Sequence, residues 1–317
     1  MKLKKIISDV LVIIAALAIF IMWYNKFENT VIPATVSPEK DYKVYLITKN
    51  EEYQFWDFMN QGASDMANLL GEVTYIWDYP KEPGIDKQIE ILNKAVKDGA
   101  DAIILAPANE VGLSDPIKEV KKKGVKIIFV DWPANEEAIT TLATDNYEAG
   151  KIAGENMILE LELTGKQKGE IAIINAGPTT STTIQRELGF RKSIETDGRF
   201  TMLETQNVLV DPVAAQEASM RMIKEYPDLV GLYATDEGTS VGMGNAIKED
   251  NNRIIGVGFD KSDKTMMLLQ EESLKVIIAQ NPYTMGYLGT AQAFAALKGY
   301  DTGPQYLDTG VSVLRKR

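Results

Sequence analysis

Residues 99–131 read GADAIILAPANEVGLSDPIKEVKKKGVKIIFVD, and their order decides the fold class. Two apolar runs, AIILA from Ala102 and KIIFV from Lys126, enclose a segment with helical spacing from Pro116 to Lys123 that stops at Gly124. Glycine is the usual residue just past a helix end. Runs that are apolar on both faces suit strands of a parallel sheet covered by helices on each side. The second run ends on an acid, Asp131.

The same unit recurs on either side. Upstream, KVYLI from Lys43 and VTYIW from Val73 read as strands, with helices over residues 56–70 and 85–98. Downstream the alternation restarts, with helices over 146–161, 185–196, 213–225, 240–248 and 265–271. Strands at 170–175, within 202–209, and at 229–235, 254–260 and 275–280 separate them. Two α/β halves, each with its own sheet, imply right-handed crossovers and a two-lobed, doubly wound protein. No period of 20–50 residues is present, so the chain is not a solenoid.

Two more strands end as KIIFV does: GLYAT runs into Asp236 and IIGVGF into Asp260. Ligands of open α/β sheets bind outside the carboxyl ends of the strands. Carboxylates accept hydrogen bonds, which suits a ligand rich in hydroxyl groups. Each acid alone is better explained as a helix N-cap or a solvated loop residue. Three together point to a cleft.

Composition narrows the chemistry. The chain has 317 residues, 45% of them hydrophobic, and a net charge of −11, which argues against a nucleic-acid partner. It contains neither Cys nor His. That removes disulfides, thiolate and common zinc sites, Cys nucleophiles, a lipid-modified cysteine and His-based catalytic triads. No GxSxG elbow, Walker A loop or strand-borne GxGxxG is present, so no cofactor is expected. VGMGNA falls inside a helix, where its glycines serve close packing. Residues 145–156 place an acid first and Gly sixth, as a calcium loop does, but Tyr147, Ala149 and Asn156 supply no carboxylates. Asp145 is more simply a helix N-cap. Neither a metal site nor an enzyme is expected.

Lys2, Lys4 and Lys5 precede an apolar run over residues 6–24, interrupted only by Ser8 and Asp9. As a helix it would measure roughly 28 Å, near the hydrocarbon thickness of a bilayer. Trp23 and Tyr24 match an interfacial belt, and the lysines place the N-terminus in the cytoplasm and the remainder outside. A cleaved signal peptide is the competing reading; it would carry a shorter apolar core and a small-residue cleavage site, where MWYNKF stands instead. The expectation is a single-pass anchor at 1–24 and a polar linker at 25–41, containing Pro33 and Pro38.

The segments TLATDNYEAGKIAGENM, VDWPA, RELGF, GLYATDE, IIGVGFD and IIAQNPYTMG occur in the order seen in periplasmic sugar-binding proteins of the ribose- and xylose-binding type. The chain resembles them over residues 42–317. They share their fold with repressors related to the lactose repressor; a repressor would need a helix-turn-helix where the apolar segment stands. The resemblance implies two doubly wound parallel-sheet lobes joined by a three-stranded hinge. One lobe would comprise 42–144 with 281–306, the other 145–280 with 307–317.

It also implies a site. Phe55 and Trp56 would face the sugar ring, one of them alternatively serving as helix core, with Lys49, Asn50 and Gln54 as polar neighbours. Asp131 would accept sugar hydroxyls. Trp132, standing where ribose-binding proteins often carry Arg, would offer a stacking face compatible with a pentose. Thr182, Thr183 and Arg186 would donate from the second lobe, Arg186 alternatively forming a structural salt bridge. Asp236, Asp260 and the hinge residue Gln280 would complete the site. The cysteine-free, anchored form is similar to membrane-anchored xylose-binding sensors that signal to a histidine kinase of the LytS type. The alternative is the substrate-binding component of an ABC importer, delivering sugar to a permease.

Overall fold

The computed structural model describes residues 41–82, 84–178 and 180–316. The expected anchor and nearly all of the linker lie outside the described residues. Among the described residues no helix is long and apolar enough to cross a membrane.

Two sheets organise the chain. The first contains β1 (Tyr42–Ile47), β2 (Val73–Asp78), β3 (Ala102–Leu105), β4 (Lys126–Val130), β5 (Thr141–Ala143) and β12 (Tyr306–Asp308). Its order is β12-β5-β4-β3-β1-β2, parallel throughout. The second contains β6 (Gly169–Asn175), β7 (Phe200–Met202), β8 (Gln206–Asn207), β9 (Leu229–Ala234), β10 (Ile255–Phe259), β11 (Val276–Gln280) and β13 (Val311–Leu314). Its order is β13-β11-β10-β9-β6-β7, with β8 also on β6, and only β13 runs antiparallel. In each sheet the chain starts near the middle, adds one neighbour, then reverses direction. That reversal opens a crevice at the strand ends.

Helices cover both faces of each sheet. Against the first lie α1 (Gln54–Leu70), α2 (Ile85–Lys97), α3 (Ser114–Lys122) and α9 (Pro282–Leu297). Against the second lie α4 (Asn146–Leu163), α5 (Ser181–Asp197), α6 (Pro212–Glu225), α7 (Glu237–Glu249) and α8 (Asp263–Gln270). Strand side chains alternate between faces. Val44 and Leu46 of β1 therefore join the core beneath α1 and α9, while Tyr45 and Ile47 join the one beneath α2 and α3. Ile171 and Ile173 of β6 likewise separate from Ala172 and Ile174. Four apolar layers, two per lobe, hold the strand ends rigid.

The chain passes between lobes three times, after β5, after β11 and after β12. The expected boundary at 306/307 needs correction, because it falls inside β12, whose three residues all pair with β5. The passage comes instead at Thr309 and Gly310. Polar groups stitch the crossings together. Asn281 Nδ2 donates to the Thr309 carbonyl at 2.7 Å, and Thr144 Oγ1 donates to Gln280 Oε1 at 2.8 Å.

Other boundaries shift for local reasons. The helix expected from residue 185 begins at Ser181, because its first turn, STTI, carries too little apolar periodicity to read as helix. Asp145 accepts from the Glu148 N–H and caps α4. Gly242 and Gly244 lie in α7, where an added Cβ would collide with Pro212 on α6 and Leu268 on α8.

The helix pairs α1–α9 and α4–α5 meet through reciprocal glycines. A Cβ on Gly62 would strike the Tyr283 carbonyl, and one on Gly286 the Met59 carbonyl; Gly150 and Gly189 stand in the same way against Arg186 and Tyr147. Because the obstructing atoms are backbone, Gly286→Ala is expected to destabilise the protein by about 1–3 kcal/mol, measured by denaturant unfolding. Gly150→Ala is expected to do the same.

Candidate binding site

Asp131 and Asp260 follow β4 and β10 directly, and both adopt left-handed backbone conformations, φ 68° and 66°. Non-glycine residues seldom do so, and Asp is among the more tolerant. Each N–H is held by the next strand: Asp131 donates to the Leu142 carbonyl at 3.0 Å, Asp260 to the Ile278 carbonyl at 2.9 Å. The backbone thus stays in the sheet's bonding pattern while the turn redirects the carboxylate. Both residues line the same cavity from opposite lobes. Asp236 arrives differently. It is the N-cap of α7, with Oδ1 accepting from the Thr239 N–H at 2.8 Å, and its Oδ2 is buried without a partner among the described residues.

The cavity measures about 170 Å³. Eleven of the thirteen expected residues line it: Lys49, Asn50, Phe55, Trp56, Asp131, Thr182, Thr183, Arg186, Asp236, Asp260 and Gln280. Phe55 and Trp56, at the start of α1, meet edge to face with centroids 4.9 Å apart. Both also pack into the lobe core, so each serves wall and core together. Arg186, on α5, is 3% exposed. Its Nε donates to Asn146 Oδ1 and its Nη1 to the Thr235 carbonyl, each at 2.8 Å, and the guanidinium lies 3.8 Å from the Phe259 ring centre. It is in no ion pair among the described residues, and Nη2 has no hydrogen-bond partner there. Gln280 Nε2 donates to Asp260 Oδ1 at 2.8 Å.

Two expected residues stand elsewhere. Gln54 turns to the opposite lobe, bonding Asp263. Trp132 gives its indole N–H to Glu110 and lines a neighbouring space of about 400 Å³ with Lys49, Asn109, Glu110 and Thr180. It is therefore not a wall of the smaller cavity. Sequence reasoning missed Tyr53, Val210 and Glu237, which line that cavity. For Glu237 a signal existed in its place beside Asp236 at the start of a helix. A further space of about 250 Å³ on the hinge side shares Phe55, Asp260 and Gln280, but includes neither Arg186 nor Asp236.

The charges are unequal. Asp131 is paired with Lys49, Nζ to Oδ2 at 2.6 Å. The second lobe holds three close acids against Arg186. Burial, with repulsion from Asp260 added, pushes Asp236 up to about 6. Burial and the same neighbour push Glu237 up to about 7, and its Oε2 is buried without a partner among the described residues. Asp260 is raised by burial against the opposing pull of Arg186, with Asp131 adding repulsion across the cleft. Unsatisfied buried oxygens are costly, and they mark places where a donor is expected to enter.

A pre-shaped cavity between two lobes, walled by aromatics and edged by convergent polar groups, defines a ligand-clamping binding protein. A family model described as a periplasmic binding protein domain matches residues 44–301. The chain belongs to that family, one of binding proteins and not of enzymes. The ribose import binding protein RbsB of Bacillus subtilis (strain 168) is 22% identical over 300 residues, covering 94% of each chain. Among solved structures, an ABC transporter solute binding protein from Agrobacterium vitis, bound with alpha-D-tagatopyranose, matches with a TM-score of 0.79 at 26% identity, covering 87% of this chain and 95% of that one. A carbohydrate transporter solute binding protein from Agrobacterium radiobacter, in complex with D-arabinose, gives 0.78 at 27% identity with the same coverage.

The raised acids have a consequence for stability. In the fold Asp236 and Glu237 keep protons that the unfolded chain has already released above its ordinary values of 3.8 and 4.5. The unfolded state then binds fewer protons, so their contribution falls as pH rises through about 6 and 7. Melting temperatures across that range are expected to decline less for Asp236→Asn with Glu237→Gln than for the unaltered protein.

Proposed function

We propose that this protein is an extracytoplasmic monosaccharide-binding protein that closes on its ligand and presents it to the permease of an ABC importer. The observation that carries the reading is the pair of left-handed aspartates, Asp131 and Asp260, that line one cavity from opposite lobes. Their carboxylates accept from ligand hydroxyls. Asn50, Arg186 and Gln280 donate, while Phe55 and Trp56 cover the ring's C–H face. A cavity of about 170 Å³ falls below the size of drug-sized pockets and suits a single sugar ring. A ligand touching both lobes binds the closed state better and shifts the population toward it. Ribose, tagatose and arabinose, the sugars named for the three relatives, mark the class of ligand to test first.

A second reading keeps the sugar and changes the listener. The apolar run over residues 6–24, with Lys2, Lys4 and Lys5 before it and no cysteine for a lipid, favours a single-pass anchor with the lobes outside the cell. An anchored protein meets membrane partners at high effective concentration, which suits signalling to a histidine kinase. Deleting the gene separates the two roles: an importer component is needed for sugar uptake, a sensor for sugar-induced expression.

Calorimetry of residues 41–317 against pentoses and hexoses tests the shared core, and a panel without binding would sink it. Asp131→Gly and Asp260→Gly keep the left-handed turn and remove the acceptor. Hydrogen bonds to charged groups are worth about 1.5–3 kcal/mol. Each variant is therefore expected to lose roughly tenfold to a hundredfold in sugar affinity. Unchanged affinity in both would remove these acids from the site.

A further inference from the structure

The lobes touch each other directly as well as through the cavity. Gln54 opens α1 in the first lobe, and Asp263 opens α8 in the second. Gln54 Nε2 donates to Asp263 Oδ2 at 3.0 Å, and Asp263 N–H donates to Gln54 Oε1 at 2.7 Å. The second bond has a particular value. The first N–H groups of a helix have no partner within it. In α8, Ser262 is the N-cap and its hydroxyl accepts from the Thr265 N–H, leaving the Asp263 N–H for an outside acceptor. Gln54 thus caps a helix of the opposite lobe. Tyr53 adds a bond from its hydroxyl to the Val210 carbonyl at 3.1 Å, and Glu110 accepts from the Ser181 hydroxyl across the neighbouring rim.

Gln54 is not among the cavity's walls, although Phe55 and Trp56, the next two residues, are. We propose that Gln54 is a closure latch, a positioning residue that sets how long the lobes stay shut without touching the ligand. This rests on the sugar-clamp reading for its biological use, but the latch itself is a property of the two lobes. The affinity of a clamp scales with the population of its closed state. Removing a lobe-to-lobe contact therefore weakens every ligand by one common factor, whereas removing a ligand contact weakens different ligands differently. Opening follows closure, so the factor appears in koff while kon is unchanged.

Three variants test this: Gln54→Ala, Gln54→Glu, and Gln54→Glu combined with Asp263→Asn. The first is expected to raise koff about tenfold, the equivalent of about 1.4 kcal/mol, and by the same factor for every sugar that binds. The second loses the donor and sets two carboxylates together, so it is expected to be worse. The third reverses donor and acceptor, restores both bonds and returns koff to near its original value. Stopped-flow kinetics reads these rates. The absence of native cysteine permits a readout that needs no sugar. Spin labels at Leu69→Cys and Leu163→Cys, exposed positions at the far ends of α1 and α4, report the separation of the lobes. Gln54→Ala is expected to shift that distance distribution toward the open form, and the double variant to reverse the shift. Unchanged koff together with an unchanged distribution overturns the proposal, as does a loss that differs between sugars. If the unaltered protein binds no sugar, the functional reading fails while the label distances still decide the latch.

Discussion

Everything at the cleft depends on how a parallel strand can end in a carboxylate that leaves the sheet. In an extended continuation, Asp131 and Asp260 would point along the pleat, into helix or solvent. A single residue at φ near 67° turns the side chain into the cleft while its N–H still pairs with the adjacent strand. Glycine would hold that turn with less strain. Asp in its place at equivalent positions of both lobes points to a requirement for the side chain, and strained backbone concentrates where function demands it. The four apolar layers then act as the frame that keeps the two turns facing each other.

The site is electrostatically uneven, and that unevenness follows from how its acids are delivered. Asp131 follows β4 and Lys49 follows β1, two strands away in the same sheet, so its charge is matched within the lobe. Asp236 and Glu237 are consecutive residues at the start of α7, and Asp260 ends the adjacent strand β10. Helix geometry forces the first two together, and Arg186 is the cation that helix α5 brings among them. Part of the charge is relieved by protonation, seen in the upward displacement of Asp236 and Glu237. The α7 N-terminus relieves another part through the Thr239 N–H. What is left is a wall of acceptors that two cationic side chains do not saturate, which is a reason to expect hydroxyl donors from outside.

Much of this was legible in the sequence, for identifiable reasons. Strands buried on both faces are runs of apolar residues, so β1, β3, β4, β6, β9, β10 and β11 stand out. Helix α9 does not, because it packs against both the sheet and α1 and is rich in small and apolar residues all round, leaving little periodicity to see. The short strands β5, β12 and β13 have three or four residues each and lack a pattern long enough to read. Within the site, the strand-terminal acids were visible because position alone defines them. The fates of Trp132 and Gln54 were not. Trp132 turns toward Glu110, 22 residues earlier on a different loop, and Gln54 toward Asp263, 209 residues later on the other lobe. Such pairings are made by the fold and leave no local mark.

The hinge and the ligand wall share one side chain. Thr144 stands at the first crossing between lobes, Gln280 at the second, and Asp260 in the cavity. Gln280 accepts from Thr144 through its carbonyl oxygen and donates to Asp260 through its amide nitrogen, both at 2.8 Å. An amide serves here because it has both polarities; a carboxylate at 280 would face Asp260 with no donor, and an amine would face Thr144 with no acceptor. Rotation of the lobes changes the geometry at the crossings first. Because Gln280 is 8% exposed, water has little access to replace a bond that it loses. The orientation of Asp260 is therefore tied to the hinge angle. The same residue that accepts from a ligand is held in register by the element whose bending the ligand must drive.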